Sequence, residues 1–420
     1  MTAKEMISVK DALEIILRDI KVLPSEKVPL NESVGRVLVQ RIIAAESMPP
    51  FTNSSMDGYA VRADNTQTAS KSKPVTLDVI EDISAGHVGQ REVTPGTAAR
   101  IMTGAPLPKG ADAVIPVEDT SEPWRGAERP LPKSVKIMRS VSPGDYIRYP
   151  GEDILAGNEV LPMGHTIRPQ EIGVLASLGI SAVDVVRRPK VAVLATGDEL
   201  IEISESLAPG KIRNSNSYTQ AAQIRQMGAE ALNLGVAGDS TEKVRRKLQD
   251  AIDAGAQLIV SSAGVSVGAH DVVKAVLDEQ RAVKIWRVRM RPGKPVTYAE
   301  YCGIPYLGLP GNPVSAMVTF EVFARPVILK MAGYKKIHKS RIMVTLSEPI
   351  NSDGRESYIR AVVSGRQGAY VAQTTGKQGS HMLMSLVRAN ALVIVPEDIT
   401  RVEPGEQLEA LMLDWPEIVF

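Results

Sequence analysis

Val191-Ala-Val-Leu-Ala-Thr196 runs without a charged break into Gly197-Asp198-Glu199. The same transition, from a short apolar run into a turn of glycines, acids or bases, recurs downstream. Leu258-Ile-Val-Ser-Ser262 leads into Ala263-Gly264, with Asp271 close behind. Residues 285–290 lead into Arg291-Pro-Gly-Lys-Pro295, and Tyr306-Leu-Gly-Leu309 into Pro310-Gly-Asn-Pro313. Runs that are apolar throughout, without alternation, are what strands covered on both faces look like, which implies a parallel sheet. Such sheets bind ligands outside the carboxyl ends of their strands. Function is therefore expected in this segment.

Helical patterns alternate with these strands. Residues 217–227 end at Gly228, 241–254 lie between Ser240 and Gly255, and 270–280 form a third. The last starts at Asn312-Pro313, with Asn at the N-cap and Pro at the first helical position, and runs to about Met331. This alternation predicts a doubly wound α/β domain over 188–335. Upstream, 48–150 show short β-runs such as 75–83 and 111–117 between Gly and Pro turns, and read as a β-rich inserted domain. Segment 121–133, charged and proline-bearing, is expected to be an exposed loop in it.

Segments 1–47 and 151–187 flank that insertion and read as a linking domain. It would hold the helical stripe Leu13, Ile16, Leu17 and Ile20, a strand over 33–45, and a helix over 169–179. Residues 340–420 return to β patterns and predict a small barrel or sandwich.

Composition narrows the function classes. At 420 residues the chain is long enough for about three domains of ~150 residues each. Lys and Arg total 49 against 48 Asp and Glu, a balance that argues against nucleic acid or an anionic membrane as partner. The single cysteine, Cys302, excludes an internal disulfide and a multi-cysteine zinc site. No apolar run approaches the ~20 residues that span a bilayer. The N-terminal stripe is broken by charges and lacks the core of a signal peptide. The reading is a soluble cytoplasmic protein.

Asp198, Glu199, Asp239 and Asp271 each follow an expected strand end, and so fall along one sheet edge. Any one of them is equally well explained by the preference of acids for helix N-termini. Four like charges on one edge repel unless a cation neutralises them, and oxygen donors without a His/Cys cluster suit Mg²⁺ rather than zinc. The five histidines lie at no metal-ligand spacing. Arg289, Arg291 and Lys294 surround the Pro292-Gly293 turn, where an anion can approach the backbone. Pro310, Gly311, Asn312 and Pro313 pair a rigid turn with a helix start, and Ser262 with Gly264 offers hydroxyl and backbone donors.

Neither a P-loop nor a strand-linked Gly-x-Gly-x-x-Gly is present. In the β-rich part, Asp57 precedes Gly58 and Thr103 sits in a turn. The residues alone reach a Mg²⁺-assisted enzyme acting on a phosphorylated or nucleotide-like anion.

These motifs, in order, resemble the molybdopterin molybdenumtransferases, the family of bacterial MoeA and the gephyrin E domain. The matching stretches are Pro49-Pro-Phe-Thr-Asn-Ser-Ser-Met-Asp-Gly-Tyr-Ala-Val-Arg62, Ile101-Met-Thr-Gly-Ala-Pro106, Gly151-Glu-Asp153, Thr196-Gly-Asp-Glu-Leu200 and Asn214-Ser-Asn-Ser-Tyr218. Further on come Ser262-Ala-Gly-Val-Ser-Val-Gly268 with Asp271, Pro292-Gly-Lys-Pro295, Leu309-Pro-Gly-Asn-Pro-Val-Ser315 and Gln378-Gly-Ser380.

The resemblance implies a homodimer whose subunits each carry a linking domain, an inserted β-domain, an α/β domain and a C-terminal β-barrel. It also implies insertion of molybdate into adenylyl-molybdopterin with release of AMP, assisted by Mg²⁺. Glu199, Asp239 and Asp271 would hold the metal ion. Lys294 and Arg291 would neutralise molybdate and phosphate, although Arg291 stands where the family commonly has lysine. Asp198, Asn214, Ser262, Gly264 and the turn Pro310, Gly311, Asn312 and Pro313 would bind substrate. Arg360 and Ser380 match positions associated with oxyanion binding. Asp57, Thr103 and Arg148 would complete the cleft from the neighbouring subunit. Two rival readings are a molybdopterin adenylyltransferase, whose fold the α/β domain shares, and a non-catalytic scaffold of the gephyrin type. Molybdate and tungstate, alike in charge and shape, are not distinguished.

Overall fold

The computed structural model describes residues 6–122, 130–262, 272–279, 283–366 and 369–414. Its contacts divide the chain into two compact units. One comprises Met1–Val39, Gly164–Arg168 and Ala182–Phe420, the other Gln40–Met163 and Pro169–Ser181.

The smaller unit is built on five strands: β1 (Gly58–Val61), β2 (Val75–Ile83), β3 (Thr97–Ile101), β4 (Ala113–Pro116) and β5 (Ser134–Ile137). Their order is β4-β1-β3-β2-β5, with β2 and β3 parallel and the other neighbours antiparallel. Tyr59, Leu77, Ile115 and Val135 pack on one face and Ala60, Ile83, Ile101 and Val114 on the other. Cover on both faces explains why β1 and β4 are apolar without alternation.

Gly58 belongs to the ladder rather than to a turn. A Cβ there would fall 1.9 Å from the Ile115 carbonyl oxygen, so only glycine lets β1 and β4 approach. The helix expected over 169–179 is present as Pro169–Ser177.

The continuous strand expected over 33–45 is not formed. Val37 and Leu38 make isolated bridges to Thr166 and Val185, and only Ile42–Ile43 forms a short strand, against Glu159–Leu161. The segment changes partners midway, which a local apolar pattern does not reveal.

In the larger unit, helix α1 (Val9–Asp19) is capped by Ser8, whose Oγ accepts from the Asp11 N–H at 3.0 Å. The central sheet contains β6 (Lys190–Ala195), β7 (Glu230–Val236), β8 (Leu258–Ser262) and β9 (Ile285–Arg287). After the short β10 (Met290–Arg291) it is completed by β11 (Pro295–Tyr301) and β12 (Ile304–Leu309). The order is β7-β6-β8-β12-β11-β9. The first four strands are parallel, but β11 runs antiparallel to both β12 and β9, so the sheet is mixed where an all-parallel one was expected.

Helices cover both faces of this sheet. Val191, Val193, Leu258 and Val260 pack with Ile224 and Met227, of α2 (Asn216–Gln226) and its C-cap, and with Val314 and Val318 of α5 (Pro313–Thr319). Ala192, Leu194 and Ile259 pack with Val244 and Leu248 of α3 (Thr241–Asp253) and Val273 and Val276 of α4 (Val272–Glu279). This is the doubly wound arrangement. α5 passes through a π-helical turn, Phe320–Ala324, into Arg325–Met331. Pro326 lacks the N–H that a regular α ladder needs there, which accounts for the wider turn.

The C-terminal strands are β13 (Arg341–Leu346), β14 (Glu356–Arg366), β15 (Ala369–Thr374), β16 (Ala391–Val395) and β17 (Gln407–Met412). They pair in the order β14-β15-β13-β17-β16, and β16 closes back on β14. Of barrel and sandwich, the barrel is what forms. β10 runs parallel to the start of β14, with Met290 opposite Glu356 and Arg291 opposite Ser357. Segment 285–291 is therefore split between sheet and barrel, not a single strand. No described helix is long and apolar enough to cross a membrane.

Candidate functional site

The carboxyl edge of the central sheet carries the acids. Asp198 and Asp239 are exposed and hold one another's backbone: the Asp239 N–H donates to Asp198 Oδ1 at 3.0 Å, and the Asp198 N–H to Asp239 Oδ2 at 3.3 Å. Lys211 Nζ caps the Asp198 carbonyl at 2.5 Å. Glu199 is exposed and folds back over Gly197. Ser262 ends β8, fully buried between β6 and β12. Gly264 and Asp271 lie outside the described residues. Among the described residues no group of three or more His, Cys, Asp or Glu is disposed to hold a metal.

Asn214 is buried; its Oδ1 accepts from the Ser217 N–H at 3.2 Å, while its Nδ2 has no partner. Two residues on, Asn216 Nδ2 donates to the Gly311 carbonyl at 2.7 Å and ties the start of α2 to the turn before α5.

That turn forms one wall of a cleft of about 440 Å³. Arg291 to Pro295 line a second wall, and Tyr358 to Arg360 with Gln378 to Ser380 of the barrel a third. Arg291, Lys294, Pro310, Gly311, Asn312, Arg360 and Ser380 are thus gathered in one place, while Pro313 stands behind them in the helix. The Val314 N–H donates to the Ser380 carbonyl at 3.1 Å, docking the barrel loop onto the helix start. Asn312 occupies the N-cap position without a side-chain capping bond. Arg289 does not join the cleft. It turns to Glu397 at 3.1 Å and Asp398 at 2.7 Å.

Four cations, Arg291, Lys294, Arg355 and Arg360, line the cleft, and among the described residues no acid does. Arg360 is 1% exposed. Its Nε donates to Ser385 Oγ at 3.1 Å and its NH2 to the Gly379 carbonyl at 3.2 Å, and no described carboxylate pairs with it. Burial, reinforced by the nearby Arg291, lowers its pKa to about 10, so it stays charged at neutral pH. A buried, unpaired guanidinium is costly unless an anion offsets it.

Arg355 was not singled out in the sequence. It grips Asp353 through Nε at 3.2 Å and NH2 at 2.5 Å, and its NH1 donates to the Met290 carbonyl at 3.1 Å. The guanidinium of Arg355 holds the Asp353 carboxyl below the usual carboxylate range, and Arg291 adds to this from 3.9 Å. No motif marks Arg355; only the pairing of β10 with β14 brings it beside Arg291.

In the smaller unit, Asp57 Oδ1 accepts from both the N–H and the Oγ1 of Thr103 at 2.7 Å. Arg148 is exposed in a two-residue strand opposite Asn53.

Comparison with known proteins covers almost the whole chain. Residues 7–179 match the MoeA N-terminal region (domain I and II), 192–330 a probable molybdopterin binding domain, and 343–413 the MoeA C-terminal region (domain IV). A molybdopterin molybdenumtransferase 2 of Mycobacterium tuberculosis is 38% identical over 96% of this chain and 99% of its own length. A molybdopterin molybdenumtransferase of Nostoc is 37% identical over 97% and 94%. The crystal structure of a molybdopterin biosynthesis MoeA protein from Pyrococcus horikoshii superposes with a TM-score of 0.78 at 30% identity, covering 98% of this chain and 100% of that one. The chain belongs to the molybdopterin molybdenumtransferase (MoeA) family.

Proposed function

We propose that this chain carries out the metal-insertion step of molybdenum cofactor biosynthesis, taking molybdate and adenylyl-molybdopterin and releasing AMP. The observation that carries this reading is the buried Arg360, unpaired by any described carboxylate, in a cleft lined by three further cations. An oxyanion brought up to a diphosphate-bearing substrate meets strong repulsion. Fixed positive charge in a partly dry cleft offsets it and favours the charge that develops on the leaving phosphate. Arg291 and Lys294 supply that charge at the rim, Arg360 and Ser380 hold the oxyanion, and the Pro310–Gly311–Asn312 turn receives the pterin.

The acids at the sheet edge present only hard oxygen donors, which fit Mg²⁺. Glu199 and Asp239, with Asp271, would hold it, and it would supply charge neutralisation on the diphosphate. We further propose a cytoplasmic homodimer in which Asp57, Thr103 and Arg148 serve a neighbouring copy. Its division would be 1–47 with 151–187, then 48–150, 188–335 and 340–420.

The test is AMP release from adenylyl-molybdopterin and Mg²⁺ with no oxyanion, with molybdate and with tungstate. Release stimulated by one oxyanion, with the metal kept on the pterin, is expected. No release under any condition from folded protein would sink the enzyme reading in favour of a binding role. An adenylyl adduct formed from ATP and molybdopterin without molybdate would instead identify an adenylyltransferase.

A further inference from the structure

Asp353 lies outside the cleft lining, yet its carboxylate is bidentate to Arg355 and 3.9 Å from Arg291, two of the four cleft cations. We propose that Asp353 is a charge attenuator: a specificity-determining residue that weakens the hold of Arg291 and Arg355 on a tetrahedral oxyanion. This rests on the reading of the cleft as the oxyanion site. A site that passes its cargo to an acceptor must not bind that cargo too tightly. Four cations with no acid behind them would hold a dianion far better than a transfer step tolerates.

A purely structural role is the competing account, because Asp353 Oδ1 also accepts from the Arg355 N–H at 3.3 Å within its turn. Two observations favour the electrostatic role. Arg355 has an anchor besides Asp353, its bond to the Met290 carbonyl where β10 pairs with β14. The contact with Arg291, at 3.9 Å, is too long for a hydrogen bond and acts by charge.

Asp353→Asn separates the accounts, since asparagine keeps the Oδ1 acceptor of the turn and of Arg355 Nε while removing the charge and the second acceptor oxygen. Coulomb energy scales with ligand charge, so a dianion gains twice as much as a monoanion of the same shape. Calorimetric titration of the full-length protein with tungstate and with perrhenate, both tetrahedral, reads this. Asp353→Asn is expected to tighten tungstate binding about tenfold and perrhenate about threefold, for a charge some ~10 Å away in a partly exposed site. Asp353→Glu is expected to restore wild-type affinities.

Unchanged or weaker tungstate binding by Asp353→Asn, or an equal gain for both anions, overturns the proposal. Arg360→Gln serves as the parallel arm. If it leaves tungstate affinity intact, the cleft is not the oxyanion site and the parent reading falls. If it abolishes binding while Asp353→Asn changes nothing, only the attenuator falls.

Discussion

Gly293, between the cleft cations Arg291 and Lys294, has φ +116°, a conformation that residues with a side chain rarely adopt. A Cβ placed there would lie 2.3 Å from Thr319 Cγ2 and 3.5 Å from Met290 Sδ. Thr319 cannot yield cheaply. It is fully buried, and its Oγ1 donates to the Ser315 and Ala316 carbonyls at 2.7 and 3.1 Å. Gly293→Ala should therefore lose about 1–3 kcal/mol to backbone strain and about 1–3 kcal/mol to overpacking.

Thr319→Ser deletes the clashing methyl and keeps the hydroxyl, at about 1 kcal/mol for one buried methyl. In the double variant the overpacking part should vanish and the backbone part remain, a favourable coupling of about 1–3 kcal/mol. A chain of several domains does not unfold in one step, so the assay is hydrogen exchange read by mass spectrometry on peptides covering β10 and α5. Tungstate affinity, which should fall in Gly293→Ala and recover partly in the double variant, is the second readout. Additive effects, or a neutral Gly293→Ala, would refute the steric reasoning.

Asp57→Asn keeps an acceptor for both Thr103 bonds, so exchange in the Thr103 turn should match wild type while AMP release falls about a hundredfold, the scale for losing one positioned polar group at a reaction centre; wild-type turnover removes Asp57 from the reaction. Burial raises the pKa of Glu356, outweighing its bond from Tyr358 and the nearby Arg341. The folded state thus holds its proton more tightly than the unfolded one, and this contribution to stability declines as pH rises from the ordinary carboxyl value through the raised one. Glu356→Gln should accordingly gain on wild type in thermal midpoint between acid and neutral pH, and a constant difference contradicts the shift. Finally, three strand spacings of about 4.8 Å, roughly 14 Å, separate the Asp198 edge from Lys294. That exceeds the ~8 Å screening length at physiological salt. Tungstate affinity should then be indifferent to millimolar Mg²⁺, and a marked dependence would place the metal inside the cleft.

Much of the fold was legible where burial is two-sided. β6, β8 and β12 are buried along nearly their whole length, and unbroken apolar runs are the imprint of that environment. Strand direction leaves no such imprint. β11 runs against its neighbours because the turn at Cys302-Gly303 returns the chain at once, with positive φ at both residues, instead of sending it through a crossover helix. Residues 33–45 misled for the converse reason: Val37, Leu38 and Ile42 are buried by partners far apart in sequence, with no single ladder beneath them, while Val34 and Ile43 are exposed.

The site followed the same division. Arg291, Lys294 and the Pro310–Asn312 turn carried local signals, because their turns need proline, glycine and charge together. Arg360 and Ser380 were found only through resemblance, and Arg355 not at all, because a barrel strand joined to a sheet loop by β10 is a long-range event.

Strand order adds what no motif contains. Across the edge in the order β7-β6-β8-β12-β11-β9 come Asp239, then Asp198 and Glu199, then Ser262, then the Pro310 turn, then Lys294 and Arg291. The acids end one half of the sheet and the bases the other, with neutral donors between. In chain order the acids after 195 and 236 also precede the bases after 287, but the neutral turn after 309 comes last, and only the sheet order moves it between them. The order β7-β6 makes neighbours of the first two acid-bearing turns, which is why Asp198 and Asp239 bond each other's backbones. Reversal at β11 brings its start, Lys294-Pro295, rather than its end, to the ligand edge. A polarised edge of this kind suits an extended substrate that carries a metal-compensated diphosphate at one end and an oxyanion acceptor at the other. A compact anion would need only the basic half.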